Sequence, residues 1–174
     1  ALQMHYHPLG DDASDQSVMR VRTATEVERP AYLLPIANPG WMTDNPEMTI
    51  AAGDPDSVHD FQIGLPLILQ YLYGPDTPGF GQPMLVHAAG VHMHTRGVRA
   101  SLQILGQGGS DGPCLVDVPR WDFNWQGTYN LVEPVLVNTS DQVRLECHHD
   151  NSKGDASLLW GEGTGDEMCL GMMY

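Results

Sequence analysis

Residues 83–104 read PMLVHAAGVHMHTRGVRASLQI, and the architecture of the chain follows from how this stretch is read. Pro83 to Ala89 is an apolar run, and Val98, Ala100, Leu102 and Ile104 alternate with other residues after it. Both flanks read as strands. Between them lies Val91-His92-Met93-His94-Thr95-Arg96-Gly97. Successive side chains of an extended chain point to opposite faces, so His92 and His94, two apart, project from the same side. Two imidazoles on one face are either half of a metal site or two polar residues on a wet surface. His87, five residues before His92, falls on the other face and is left out of the pair.

Outward from this stretch, the rest of the sequence repeats the same grammar. The chain has 174 residues, long enough for one domain with a genuine core. Its 19 glycines and 13 prolines interrupt the apolar segments every ten or so positions, as in a protein of many short strands and turns. No long helical period is present. The net charge is −14, from 22 acidic against 8 basic residues with Lys153 the single lysine, which argues against nucleic acid and against anionic membrane surfaces as partners. No run of 18 apolar residues suggests a membrane span. The sequence starts at Ala1, so any signal peptide is removed or lies outside it.

Leu2 to Pro8 reads as a strand already under way at the first residue, so residues 1–8 are expected to finish a strand from a preceding domain. His5 and His7 form a second His-x-His there. Met19, Val21 and Thr23 alternate as a half-buried strand, and Ala31 to Ala37 is an apolar strand ended by Asn38-Pro39-Gly40. Glu47 to Ala52 and Val58 to Ile63 suggest a hairpin around Gly53-Asp54-Pro55-Asp56, whose carboxylates lack an EF-hand spacing and read as a solvated turn. Leu65 to Tyr73, the most apolar run, is expected to be a core strand. Gly106 to Gly112 is a hairpin turn without the spacing of a phosphate loop, and Leu115 to Val118 a short strand. Trp121-Asp122-Phe123-Asn124-Trp125-Gln126 alternates aromatic and polar residues, and buried aromatics are the expected reading over a stacking platform. Asn138-Thr139-Ser140 is a glycosylation sequon if the protein passes through a eukaryotic secretory pathway.

The last third contributes a sulfur. Val143, Leu145 and Cys147 form one face of a strand, and the chain closes with Asp166-Glu167-Met168-Cys169-Leu170-Gly171-Met172-Met173-Tyr174. Nine methionines are present and most serve as core filler, but Met168 adjoins a cysteine. Three cysteines leave at least one unpaired. Were Cys169 to pair with Cys147, the bridge would clamp the strand that carries Met168 and fix where its thioether reaches.

Taken together, these segments resemble the copper type II, ascorbate-dependent monooxygenases, the family of the peptidylglycine alpha-hydroxylating and dopamine beta-monooxygenases. The resemblance covers their C-terminal catalytic domain, from Leu2-Gln3-Met4-His5-Tyr6-His7 through Val91-His92-Met93-His94 to Asp166-Glu167-Met168-Cys169. It implies an all-β fold, an antiparallel jelly-roll-like sandwich of two packed sheets, over residues 1–174. It implies that His92, His94 and Met168 bind the substrate-side copper and that Cys147 pairs with Cys169, leaving Cys114 free or paired outside the chain. It also implies hydroxylation of an activated C–H bond of a small-molecule substrate, using dioxygen and a reductant such as ascorbate. The ligand set is chemically sensible by itself: two imidazoles and a soft thioether favour Cu(I), whereas zinc rarely recruits methionine.

Departures matter too. The family's second, electron-transfer copper uses adjacent histidines of an N-terminal domain and a third histidine at the position of His5. This sequence contains no counterpart of that domain, and the resemblance implies an electron-donor protein or an N-terminal copper domain as partner. His148-His149 is the chain's adjacent pair, but consecutive strand residues face opposite ways. Peptide-amidating members hold the substrate carboxylate with polar side chains where this chain has Gly90, Leu170 and Met172, so a smaller or more apolar substrate is expected. Arg96 is either an anion contact or a surface arginine at a strand end. Three functions from different classes follow: a copper monooxygenase domain, a copper-binding or copper-delivery module without turnover, and a secreted sandwich used for interaction. Disulfide and copper together imply an oxidising compartment, secreted or periplasmic.

Overall fold

The computed structural model describes residues 14–43 and 47–174. The expected strand over Leu2 to Pro8, with His5, lies outside the described residues. The chain divides into two units, Ala1–Pro30 and Ala31–Tyr174. In the first, residues 14–30 are exposed and carry neither helix nor strand. The strand expected at Met19 to Thr23 is therefore not formed: alternation supplies an apolar face, but a strand also needs a ladder partner for its backbone groups.

The second unit is an antiparallel β-sandwich, as expected. One sheet contains β1 (Leu34–Ile36), β10 (Leu170–Met173), β4 (Met84–His92) and β7 (Thr128–Val137), in that order. The other runs β3 (Ser57–Gly64), β8 (Gln142–His149), β5 (Gly97–Leu105) and β6 (Asp111–Val118). A small pair, β2 (Thr49–Ile50) with β9 (Leu158–Leu159), completes the strands. The predicted alternation sets which residues fill the gap between the sheets. Val143, Leu145 and Cys147 of β8 are fully buried, as are Leu102 of β5 and Val137 of β7. Gly171 on β10 marks how closely the layers meet, because a Cβ there would stand 2.9 Å from Leu102 Cδ1 and 3.4 Å from Leu145 Cδ1, both in the opposite sheet.

Three expectations need correction. Leu65–Tyr73 is not a strand but the helix α1. Pro66 sits in the first turn, where its missing N–H costs nothing, and Gly74 ends the helix at φ 86° with its N–H on the Gln70 carbonyl. The buried Leu65, Ile68 and Leu69 have helical spacing, a period hidden by apolar residues on the other faces. The expected hairpin of β2 and β3 does not form either; β2 pairs β9 and β3 pairs β8. The turn between them docks on Asn151 instead, a fully buried residue whose side-chain amide donates to the carbonyls of Ala51 and Ala156. Its backbone N–H and C=O exchange bonds with Asp54 and Gly53. The third correction concerns the aromatic segment: Trp121 and Phe123 are half-buried, whereas Trp125 is 82% exposed.

Candidate metal centre

The histidine pair stands where the chain leaves one sheet for the other. His92 ends β4, Gly97 starts β5 in the opposite sheet, and residues 93–96 make the corner. Met93, fully buried, anchors it. Gly97 is required by close approach, since a Cβ there would meet Met93 Cβ at 2.7 Å and Trp121 Cδ1 at 2.9 Å. A chain that crosses between sheets forfeits its ladder, so the corner's backbone groups need other partners. The Trp121 indole N–H donates to the His94 carbonyl at 3.0 Å, and the Asp150 N–H to that of Arg96 at 2.8 Å.

Two amides of the corner, those of His94 and Arg96, converge on Glu167, which is fully buried. Its Oε2 accepts the N–H of His94 at 2.9 Å and that of Met168 at 3.3 Å, while Oε1 accepts a short bond from the Arg96 N–H. Burial raises the Glu167 pKa and the three backbone donors oppose that shift. All three hydrogen-bond partners are N–H donors, which favours the carboxylate form. One side chain thus ties the histidine corner to the segment bearing the methionine, 73 residues away.

Each histidine of the pair has its Nδ1 engaged. His94 Nδ1 lies 3.0 Å from the Asp166 carbonyl oxygen, which can only accept, so the ring donates there. His92 Nδ1 lies 2.6 Å from Gln126 Oε1, and the Gln126 amide is oriented by its own Nε2, which donates to the Phe123 carbonyl at 2.7 Å. In the neutral tautomer both rings therefore carry their lone pair on Nε2. Their centroids are 5.2 Å apart at 79°. Two rings binding one ion at about 2.0–2.1 Å through nitrogen would hold their centroids roughly 5 Å apart, so the pair fits a shared ion. Trp121 and Phe123 stand edge-on to His92 and His94 at 6.4 and 6.0 Å.

Met168 is half-buried and immediately precedes Cys169, whose disulfide with Cys147 joins the approach to β10 to β8 of the other sheet. The Cα–Cα distance of that bridge is 5.8 Å. Leu170 pairs His92 at the end of the β10–β4 ladder, so Met168 lies two residues before a residue paired with His92. The Met168 carbonyl is held as well, accepting from His149 Nε2 at 3.1 Å. His149 is fully buried, and burial pushes its pKa down to about 4, so it acts as a neutral donor. His148 turns instead to Asp56, Glu146 and Arg99, so the adjacent pair divides between two environments as strand alternation demands. His87 is exposed on β4, and Cys114 is an exposed free thiol on β6.

Among the described residues no three His, Cys, Asp or Glu side chains gather as a metal site. A set of two histidines and a methionine contains only two such residues. Residues 80–174, more than half of the chain, match the family described as copper type II ascorbate-dependent monooxygenase, C-terminal domain. The chain belongs to that family. Among curated relatives, it is 32% identical over 79 residues to the DBH-like monooxygenase protein 2 of Mus musculus, covering 45% of this chain and 13% of that protein. A Homo sapiens protein of the same designation is 27% identical over 100 residues, or 58% of this chain and 18% of its own length. The chain therefore spans a small part of the monooxygenases it matches.

The family's Glu-Met-Cys and His-x-His segments were legible in sequence, but Glu167 and Gln126 were not recognised as supports of the histidines. Glu167 directly precedes the apolar Met168-Cys169-Leu170, and that is the signal that could have found it; for Gln126, in an exposed aromatic loop, the sequence offers none.

Proposed function

We propose that this chain is a copper monooxygenase domain in which His92, His94 and Met168 hold one copper ion. It hydroxylates an activated C–H bond of a small molecule with dioxygen and an external reductant such as ascorbate. The observation that supports this most is the single Glu167 oxygen that accepts both the His94 and the Met168 N–H, bringing together residues 74 positions apart in sequence. Family membership supports the chemistry. Bound copper supplies the redox capacity to activate dioxygen. The protein's own groups do the rest. Asp166 and Gln126 orient the imidazoles through Nδ1, and Glu167 with His149 holds the methionine backbone. Trp121 and Phe123 shield the rings from water on one side.

Gly90 supports a substrate without a clamped carboxylate. A Cβ at that position would meet the Gly127 carbonyl at 3.1 Å and Met172 Cε at 3.6 Å, so a side chain there needs the Gly127 backbone to give way. The second reading is a copper-binding or copper-delivery module without turnover. It is favoured by the commitment of His148 and His149 to structural partners, which leaves electron supply to a donor protein or an N-terminal copper domain. The disulfide supports a secreted or periplasmic location, and among the described residues no helix is long and apolar enough to cross a membrane.

X-ray absorption of the copper-loaded, reduced protein tests the ligand set. A sulfur scatterer is expected in the wild type and lost in Met168→Ile; a sulfur-free wild-type shell refutes it. Substrate-dependent oxygen consumption with ascorbate separates the two readings, because a delivery module exchanges Cu(I) with a chelator and consumes no oxygen in a substrate-dependent way.

A further inference from the structure

A cavity of about 740 Å³ opens between α1, the edge strands β1 and β3, and β10. That volume lies within the range of small-molecule sites. Its walls include Phe61 and Ile63 from β3 and Ile68 from α1, with Leu67 and Tyr71 toward solvent, 60% and 74% exposed. Gln70 is the one amide in the lining, and no charged side chain contributes. Leu170 also lines it, and Leu170 is the cross-strand partner of His92. Directly paired residues share a face with Cβ atoms about 4.5–5.5 Å apart, so one wall of the cavity is the neighbour of the histidine pair.

We propose that this cavity is the substrate site and that it takes an uncharged, largely apolar molecule, with Leu170 as the specificity-determining wall. The assignment rests on the copper reading for its link to chemistry, but the ligand class rests on the lining alone. An ionised carboxylate entering this cavity would lose its hydration without meeting a cation, a heavy cost in an apolar environment. An alkyl or aryl body, by contrast, gains in proportion to the apolar surface it removes from water. Gln70 and the Tyr71 hydroxyl can hydrogen-bond one polar end near the mouth.

The test uses the full chain, first without copper. Binding of the neutral fluorophore N-phenyl-1-naphthylamine is titrated, then competed with 4-phenylbutanol and with its carboxylate counterpart, 4-phenylbutyrate. The neutral competitor is expected to displace the probe at least about tenfold better. Leu67→Asp, exposed at the mouth, and Leu170→Asn, at the inner wall, are each expected to weaken probe binding by about tenfold. With Cu(II) loaded, bound 4-phenylbutanol protons are expected to relax faster than in the copper-free protein. Absence of probe binding, indifference to both substitutions, or equal competition by the carboxylate overturns the ligand class. Probe binding without relaxation in a copper-loaded protein overturns the cavity as the substrate site. Failure of the protein to take up copper counts against the metal reading, while the copper-free titration still decides what the cavity binds.

Discussion

Replacing Glu167 with glutamine changes a carboxylate into an amide of the same shape, and the geometry says what this removes. The amide has a single oxygen. If it keeps the bonds from His94 and Met168, its NH₂ faces the N–H of Arg96; if it turns over, two donors are orphaned instead. A hydrogen bond to a charged acceptor contributes about 1.5–3 kcal/mol, and a buried unsatisfied donor costs about 1–3 kcal/mol. Part of this is offset because a fully buried charge is no longer held out of water, the same burial that raises the Glu167 pKa. The net expectation is a loss of about 2 kcal/mol, which for a chain of this size lowers Tm by roughly 4–8 °C. The corner carrying His94 loosens with it, so Cu(I) affinity should fall about 10–100-fold, as for other groups that orient metal ligands. Thermal denaturation of the copper-free protein and chelator competition for Cu(I) read the two effects. Asp166→Asn is the control: the carboxylate is exposed and accepts from the Gly163 N–H, so its change should stay within about 0.5 kcal/mol. A Glu167→Gln protein that melts within about 1 °C of wild type and keeps its Cu(I) affinity refutes the reasoning.

Three further outcomes are expected. Gln126→Leu removes the acceptor that orients His92 but lies on an exposed loop, so Cu(I) affinity should drop about tenfold or more while Tm moves little; equal affinity in the two proteins removes Gln126 from the site. Opening the disulfide with a Cys147→Ser/Cys169→Ser double substitution releases a 22-residue span and should lower stability by about 3 kcal/mol in urea denaturation. A midpoint unchanged from wild type would show the bridge to be energetically idle. His149 is neutral in the fold with its pKa near 4 against an ordinary 6.5, so between those values the unfolded chain binds a proton that the native state refuses. Stability present above pH 6.5 is therefore lost on acidification, by about 2 kcal/mol from pH 7 to pH 5. His59 shifts the same way, whereas Glu167, with its pKa raised from 4.5, acts oppositely in more acidic solution. Denaturant midpoints of wild type and His149→Gln at pH 7 and pH 5 test this, and parallel pH slopes would exclude His149 as the cause.

The buried faces of the central strands were legible in the sequence. Period-two alternation at Ala100 to Ile104 and Val143 to Cys147 names the buried faces, because side chains on a strand alternate; Val98, at the register shift of β5, is exposed instead. The sequence also singled out His92 with His94, although His94 lies past the end of β4, in the corner between the sheets, rather than on the strand. Where the apolar signal is continuous, as at Leu65 to Tyr73, local pattern does not separate a strand from a buried helix, and the neighbours settle the matter. Pairing is likewise a property of the folded whole: β2 meets β9 rather than β3 because Asn151, about 100 residues away, takes up the backbone groups of the intervening turn. The same holds for the site. A corner between two sheets leaves amides without ladder partners, and only the tertiary structure reveals that the carboxylate meeting them is Glu167, from the far end of the chain.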